Sequence, residues 1–230
     1  MLAAVLAEEH FQRQASSILG PKGYSIEDER VGRTDTDFRL LDVDGRPLCR
    51  LNVKFHGTLF RESQEYVGLA TDDCFPLATY KISSALKRQN VERLPYVFLI
   101  LPVPDFPRTT IEESVNEDWA WLASISGRST EEAIVARLAS EPWVEQIRER
   151  IRATEFRLIS ARRAYLLPRE FLFERVHALR LRGFNRLFRG AEINMHLSLG
   201  KEMIAFEDFL MLLADRGSRE VAIRLDRGEI

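Results

Sequence analysis

The stretch TDTDFRLLDVDGRPLCRLNVKF, residues 34–55, decides how this chain is read. Two runs of alternating character flank Asp44-Gly45, the strongest short-range signal for a β-hairpin. With Asp44 and Gly45 as a two-residue turn, opposed positions sum to 89. Asp37 then faces Asn52, Asp35 faces Lys54 and Arg39 faces Arg50, while Phe38–Leu51 and Leu40–Cys49 share the other side. Directly opposed residues project to one face of a sheet. This register separates an apolar face from a polar one, and a slip of one residue would mix them. The polar face brings a carboxylate, an amide and an ammonium to adjoining positions. Carboxylate and amide oxygens are hard donors suited to magnesium. Such an ion polarises a phosphodiester and acidifies a bound water, and a lysine beside it holds that water or the developing negative charge.

Upstream, Ala4, Ala7, Phe11, Ala15 and Ile18 recur at helical spacing and predict a helix over 2–19, with Glu8 at the edge of the stripe. GPKGY ends that helix, and 24–31 reads as a polar strand near a sheet edge. Downstream, a long polar loop leads to Pro76, expected to open a helix over LATYKISSALKRQNV, with Asp72-Asp73 as its caps. LPYVFLILPV (94–103) is an uninterrupted apolar run, the pattern of a strand covered on both faces. Residues 1–103 therefore spell helix, three strands, helix, strand.

The order of these elements, with Asp37 on the second strand and Asn52-Val53-Lys54 on the third, resembles the PD-(D/E)XK nuclease superfamily. Asp37 matches the first Asp of that motif, Asn52-Val53-Lys54 matches (D/E)-x-K, and Glu8 matches a carboxylate that several members carry on the first helix. The resemblance implies an α+β fold with a mixed central sheet of about four strands flanked by helices, the restriction endonuclease-like core. It implies that Asp37, Asn52 and Glu8 hold Mg²⁺ or Mn²⁺, that Lys54 serves catalysis, and that the substrate is nucleic acid, DNA being the expected form. The departure is Asn52, which removes one negative charge from the metal site. Two functions follow: a metal-dependent nuclease, or a nuclease-fold protein with an impaired site that binds nucleic acid or serves assembly. An unrelated α+β domain with a fortuitous hairpin is the third reading.

The core is expected over 1–106. A helical insertion and an additional α/β part follow over 107–230, packed on the core as one unit or standing apart from it. Helices are expected within 110–152 and from 168 onward, a strand over 155–167, an extended EINMHLSLG, a helix ending at Gly217, and a final strand in EVAIRLD. Residues 148–189 hold twelve arginines, no lysine and four glutamates, a net +8 that leaves −10 elsewhere in a chain of overall charge −2. Arginine forks suit phosphate oxygens, so Arg180, Arg182, Arg186 and Arg189 are candidate nucleic-acid contacts; Phe184 and Phe188, at helical spacing, read as core. Asp35 and His56 are accessory candidates beside the hairpin, and Lys81 lies on the next helix.

Two cysteines make neither a disulfide framework nor a metal cluster, and both are expected to stay reduced, as in a cytoplasmic setting. His10, His177 and His196 form no spaced metal set, and no Gly-rich phosphate loop occurs. MLAAVLAEEH lacks the basic flank of a signal peptide, and YVFLILPVP is too short to span a bilayer, so no membrane association is expected. A homo-oligomer or a protein partner is compatible with the sequence.

Overall fold

The computed structural model of the chain describes residues 2–30, 36–57, 63–103, 142–167 and 194–230. In chain order these form α1 (Leu2–Leu19), a 3-10 turn (Gly20–Lys22), β1 (Ser25–Asp28), β2 (Phe38–Leu41), β3 (Pro47–His56), α2 (Ser63–Val67), β4 (Cys74–Ala78), α3 (Thr79–Glu92) and β5 (Tyr96–Pro102). They continue with α4 (Pro142–Arg152), β6 (Arg157–Ser160), α5 (Ala161–Leu166), β7 (Asn194–Ser198), β8 (Ile204–Ala205) and α6 (Phe206–Arg227). The fold is α+β: a mixed six-stranded sheet in the order β1-β2-β3-β5-β6-β8, flanked by helices, with β4 and β7 as a separate two-stranded ribbon. Within the sheet β3 and β5 run parallel and every other pairing is antiparallel. A parallel neighbour requires a crossover, and α3 lies on the connection from β3 to β5.

β5 shows why the sheet has two covered faces. Its residues alternate sides, and both sides are buried. Val97, Leu99 and Leu101 join the cluster under α1, α4 and α6, whereas Tyr96, Phe98 and Ile100 join the one under α3 and α5. The uninterrupted apolar run thus meets the expectation for a strand with no solvent face. On the first side, Phe11 of α1 meets the rings of Phe38, Phe156 and Phe206, each at 5.4 Å between centroids. Burying such a ring contributes about 2–3 kcal/mol.

The hairpin register holds where it matters: Phe38 pairs Leu51, Arg39 pairs Arg50 and Leu40 pairs Cys49. Its turn differs from the two-residue one expected. Asp42 pairs Arg46 through the backbone at 2.8 Å, leaving residues 43–45 as the loop with Gly45 at φ 74°. The Asp42 carboxylate accepts from the backbone of Asp44 at 3.0 Å and of Arg46 at 2.8 Å. Leu41 pairs Pro47, so the register shifts between Leu40 and Leu41. The extra residue is absorbed by a bulge, which restores the pairing demanded by the two faces.

Four expectations are corrected. Pro76 does not open α3 but lies in β4, opposite His196 of β7 in the ribbon, where a missing donor is tolerated at a sheet edge. Asp73 caps no helix; its carboxylate accepts from Ser198 Oγ and Gly200 N, both at 2.6 Å, and ties the ribbon to the following turn. The strand expected over 155–167 stops at Ser160, whose Oγ accepts from Arg163 N at 3.1 Å and starts α5. EVAIRLD is helical rather than extended: Val221 and Leu225, four apart, are buried, while Ile223 between them is 44% exposed. Its V-x-I-x-L alternation imitates a strand, but only the helical pair meets the core. Gly217, at φ 77° and ψ 161°, does end one helical segment as expected, and a second begins directly after it within α6.

The core also crosses the expected boundary near 106. β6 and β8 extend the same sheet, and Val144, Ile147, Ile151, Phe156 and Leu158 share one cluster with Leu6, Phe11 and Leu51. The expected helix from 168, Asp35, and the candidate contacts Arg180, Arg182, Arg186 and Arg189 lie outside the described residues. Among the described residues no helix is long and apolar enough to cross a membrane.

Candidate functional site

β3 is ten residues long and β2 only four, so β2 covers β3 no further than Leu51. Beyond that point no strand among the described residues pairs β3 on this side, while β5 continues to pair it on the other as far as His56. Asp37, one residue before β2, fills the mouth of this fork. Its backbone N donates to Leu51 O at 3.1 Å. Its Oδ2 accepts from Val53 N at 2.6 Å and from Asn52 Nδ2 at 3.1 Å. The Asp37 carboxylate thus takes up a backbone N–H of β3 just past the last β2 pairing. Asn52 is 6% exposed and turns its amide hydrogens, not its oxygen, toward Asp37.

Glu8 on the α1 side of the sheet, and Lys54, which lines its α3 side with Asn52, lie within electrostatic reach of Asp37. Burial raises the pKa of Asp37 above its ordinary value, against the nearby Lys54 ammonium and the Val53 N–H, which lower it. Burial, and then the negative charge of Asp37, push the Glu8 carboxyl up to about 7, against the pull of Arg30 and Lys54. Two desolvated carboxyls, one of them raised further by the other's charge, hold their protons more tightly than they would in water. Carboxylate oxygens are hard donors of the kind a divalent cation takes, and such an ion would compete with the proton on Glu8. Among the described residues no group of three or more His, Cys, Asp or Glu side chains could hold a metal ion.

Arg30 was not singled out from the sequence, yet it closes the α1 side of the fork. Its guanidinium reaches Glu8 Oε2 at 3.5 Å, Gln12 Oε1 at 2.8 Å and Asp28 Oδ2 at 2.6 Å, and stands 4.9 Å above the Phe38 ring. Asp28 is held below its usual range chiefly by that hydrogen bond. The sequence signal was three acids followed by an arginine in EDER (27–30), a pattern common on exposed edge strands.

The remaining polar face of the hairpin is internal structure. Arg39 and Arg50 face each other and both pair with Glu29, while Arg50 also pairs with Glu92 of α3 and donates to Thr36 Oγ1 at 3.2 Å. The acids between them make a pair of opposed arginines tolerable. His56 packs edge-on against Phe75, 5.0 Å between centroids, and His10 stacks on Phe156 at 6.0 Å. His196 lies 3.8 Å from Cys74 Sγ. Burial pushes the Cys74 thiol up to about 11 and the imidazole down to about 4, so this pair holds no thiolate. Lys81 of α3 lines a pocket of about 240 Å³ with Asn52 and Lys54. No family model, curated protein or solved structure matches the chain.

Proposed function

We propose that the chain is a metal-dependent nuclease that hydrolyses nucleic-acid phosphodiester bonds, DNA being the expected substrate. The observation that carries this reading is the convergence at the β2–β3 fork. Asp37 and Asn52 are in contact there, and Lys54 and Glu8 are near enough to shift the Asp37–Glu8 proton equilibria. The element order supports it too: α1, the antiparallel β1-β2-β3, then α3, and β5 parallel to β3. Together these support reading the sheet as a restriction endonuclease-like core.

Asp37 and Glu8, with the amide oxygen of Asn52, would hold Mg²⁺ or Mn²⁺. The ion, when bound, polarises the phosphodiester and acidifies the attacking water. Val53 N and Asn52 Nδ2 keep Asp37 aimed across the fork. Lys54 stabilises negative charge on the phosphoryl oxygens or orients the water. Glu8, with its pKa near 7, can give up its proton near neutral pH as the ion binds.

The test is incubation with supercoiled plasmid, linear duplex and single-stranded DNA in Mg²⁺ or Mn²⁺, against a chelator control. Cleavage by the native chain that is lost in Lys54→Ala and Asp37→Ala is the expected result. No cleavage of any substrate with either ion refutes the reading. A second reading, a nucleic-acid-binding or assembly module on the same fold, rests on Asn52, which donates to Asp37 where the motif has an acid. Salt-sensitive binding without cleavage, with Mg²⁺ affinity gained on Asn52→Asp, would decide for it.

A further inference from the structure

The pocket beside the fork lies on the α3 side of the sheet, and no acidic side chain lines it among the described residues. Its floor is Phe98 and Tyr96, 1% and 4% exposed. Its charged wall is Lys54 from β3 with Lys81 and Arg88 from α3, and Tyr80, 49% exposed, stands on the same helix. Lys81, Ser84 and Arg88 recur at helical spacing, so one stripe of α3 faces the row of β3 that carries Asn52 and Lys54. Arg88 is turned to Glu92 at 3.0 Å, whereas Lys81 is exposed. About 240 Å³ is room for about eight waters at ~30 Å³ each, far more than an inorganic phosphate occupies. Cations above an aromatic floor suit an anion that carries a flat, apolar ring.

We propose that this pocket receives a single unpaired nucleotide of the substrate strand, its phosphate on Lys81 and its base against Tyr80, beside the phosphate presented to Lys54. The assignment rests on the nuclease reading for its substrate class and adds strandedness to it. A base in a duplex is stacked and paired and must be extruded before it can enter a recess, whereas a single strand or a frayed end meets no such barrier. Aromatic stacking is indifferent to base identity, so the pocket selects unpaired structure rather than sequence.

The experiment uses the full chain in a chelator, where no cleavage occurs, and follows fluorescence anisotropy of a fluorescein-labelled dT12 and of a duplex of equal length. The single strand binds more tightly, and Tyr80→Ala and Lys81→Glu each weaken it about tenfold, the loss of one stacked base or one phosphate contact. Lys87→Glu, on an exposed position of α3 outside the pocket, serves as the control for charge alone and has the smaller effect. Asp37→Ala retains the binding while losing any cleavage, which separates the pocket from the catalytic reading. Equal affinity for duplex and single strand, wild-type binding by Tyr80→Ala and Lys81→Glu, or no binding of dT12 at all overturns the assignment. If Mg²⁺-dependent cleavage persists unchanged in those two variants, the pocket falls and the nuclease reading stands. If the pocket variants lose binding but the native chain never cleaves, the nuclease reading falls and the pocket stands.

Discussion

Glu8 offers the sharpest quantitative check on the fork. Its carboxyl is held at about 7 instead of 4.5, first by burial and then by Asp37, and its side chain is 20% exposed. Between pH 4.5 and 7 the folded chain keeps a proton that the unfolded chain has released, so stability falls as pH rises through that window and levels off above it. Two and a half decades of proton affinity correspond to about 3 kcal/mol lost by pH 8 relative to pH 4. Glu8→Gln carries no such proton. The attraction of Arg30 for the carboxylate is already contained in that proton affinity. The variant is therefore expected to match the native chain near pH 4 and to exceed it by about 3 kcal/mol at pH 8. Urea denaturation of both chains at half-unit steps from pH 4 to 9 reads the difference directly. Carboxyl ¹³C titration of Asp37→Asn should place Glu8 lower, because a like charge has gone. Mg²⁺ at about ten times its dissociation constant adds ~1.4 kcal/mol to the native chain at pH 8 and less at pH 5, where the proton competes. A stability difference between native and Glu8→Gln that is flat across the whole range would refute the electrostatic account of the fork.

Two further perturbations test the scaffold that holds the site. Arg50 is buried between Glu29 and Glu92; Arg50→Ala leaves Glu29 with Arg39 and Glu92 with Arg88 and is expected to cost about 1.5–3 kcal/mol, seen as a lower urea midpoint at unchanged m-value. Gly228 sits at φ 74°, and a Cβ there would lie 2.9 Å from both Arg162 Cγ and Arg163 N. Gly228→Ala should therefore cost about 1–3 kcal/mol, with hydrogen exchange quickening first where α6 meets α5.

Much of the site could be read from residue order, for a physical reason. A strand's side chains alternate with period two, so once a hairpin is recognised the face of each residue follows without coordinates. Asp37 and Asn52 met as expected even though the turn was not the one anticipated, because burial of Phe38, Leu40, Cys49 and Leu51 imposes the register that the loop must accommodate. Glu8 was placed by periodicity in the same way. Alternation failed where two periods fit one string. In EVAIRLD the choice between strand and helix rests with whichever core lies nearby, and Val221 and Leu225 found theirs as a helical pair. Pro76 failed for a related reason: a residue that favours helix starts also suits an edge strand, and the partner that settles the matter, β7, lies more than a hundred residues away.

By itself, the order of residues determined the local units: the α1 stripe, the hairpin and its two faces, and β5 covered on both sides. Each is set by a period of a few residues and needs no partner to be recognised. Tertiary structure decided the rest. It joined β6 and β8 to the same sheet, set Arg30 over Glu8, and brought the Lys81 stripe of α3 to face Lys54. Those juxtapositions depend on contacts between segments far apart in the chain, and whether two side chains share a desolvated space is a property of the packed whole.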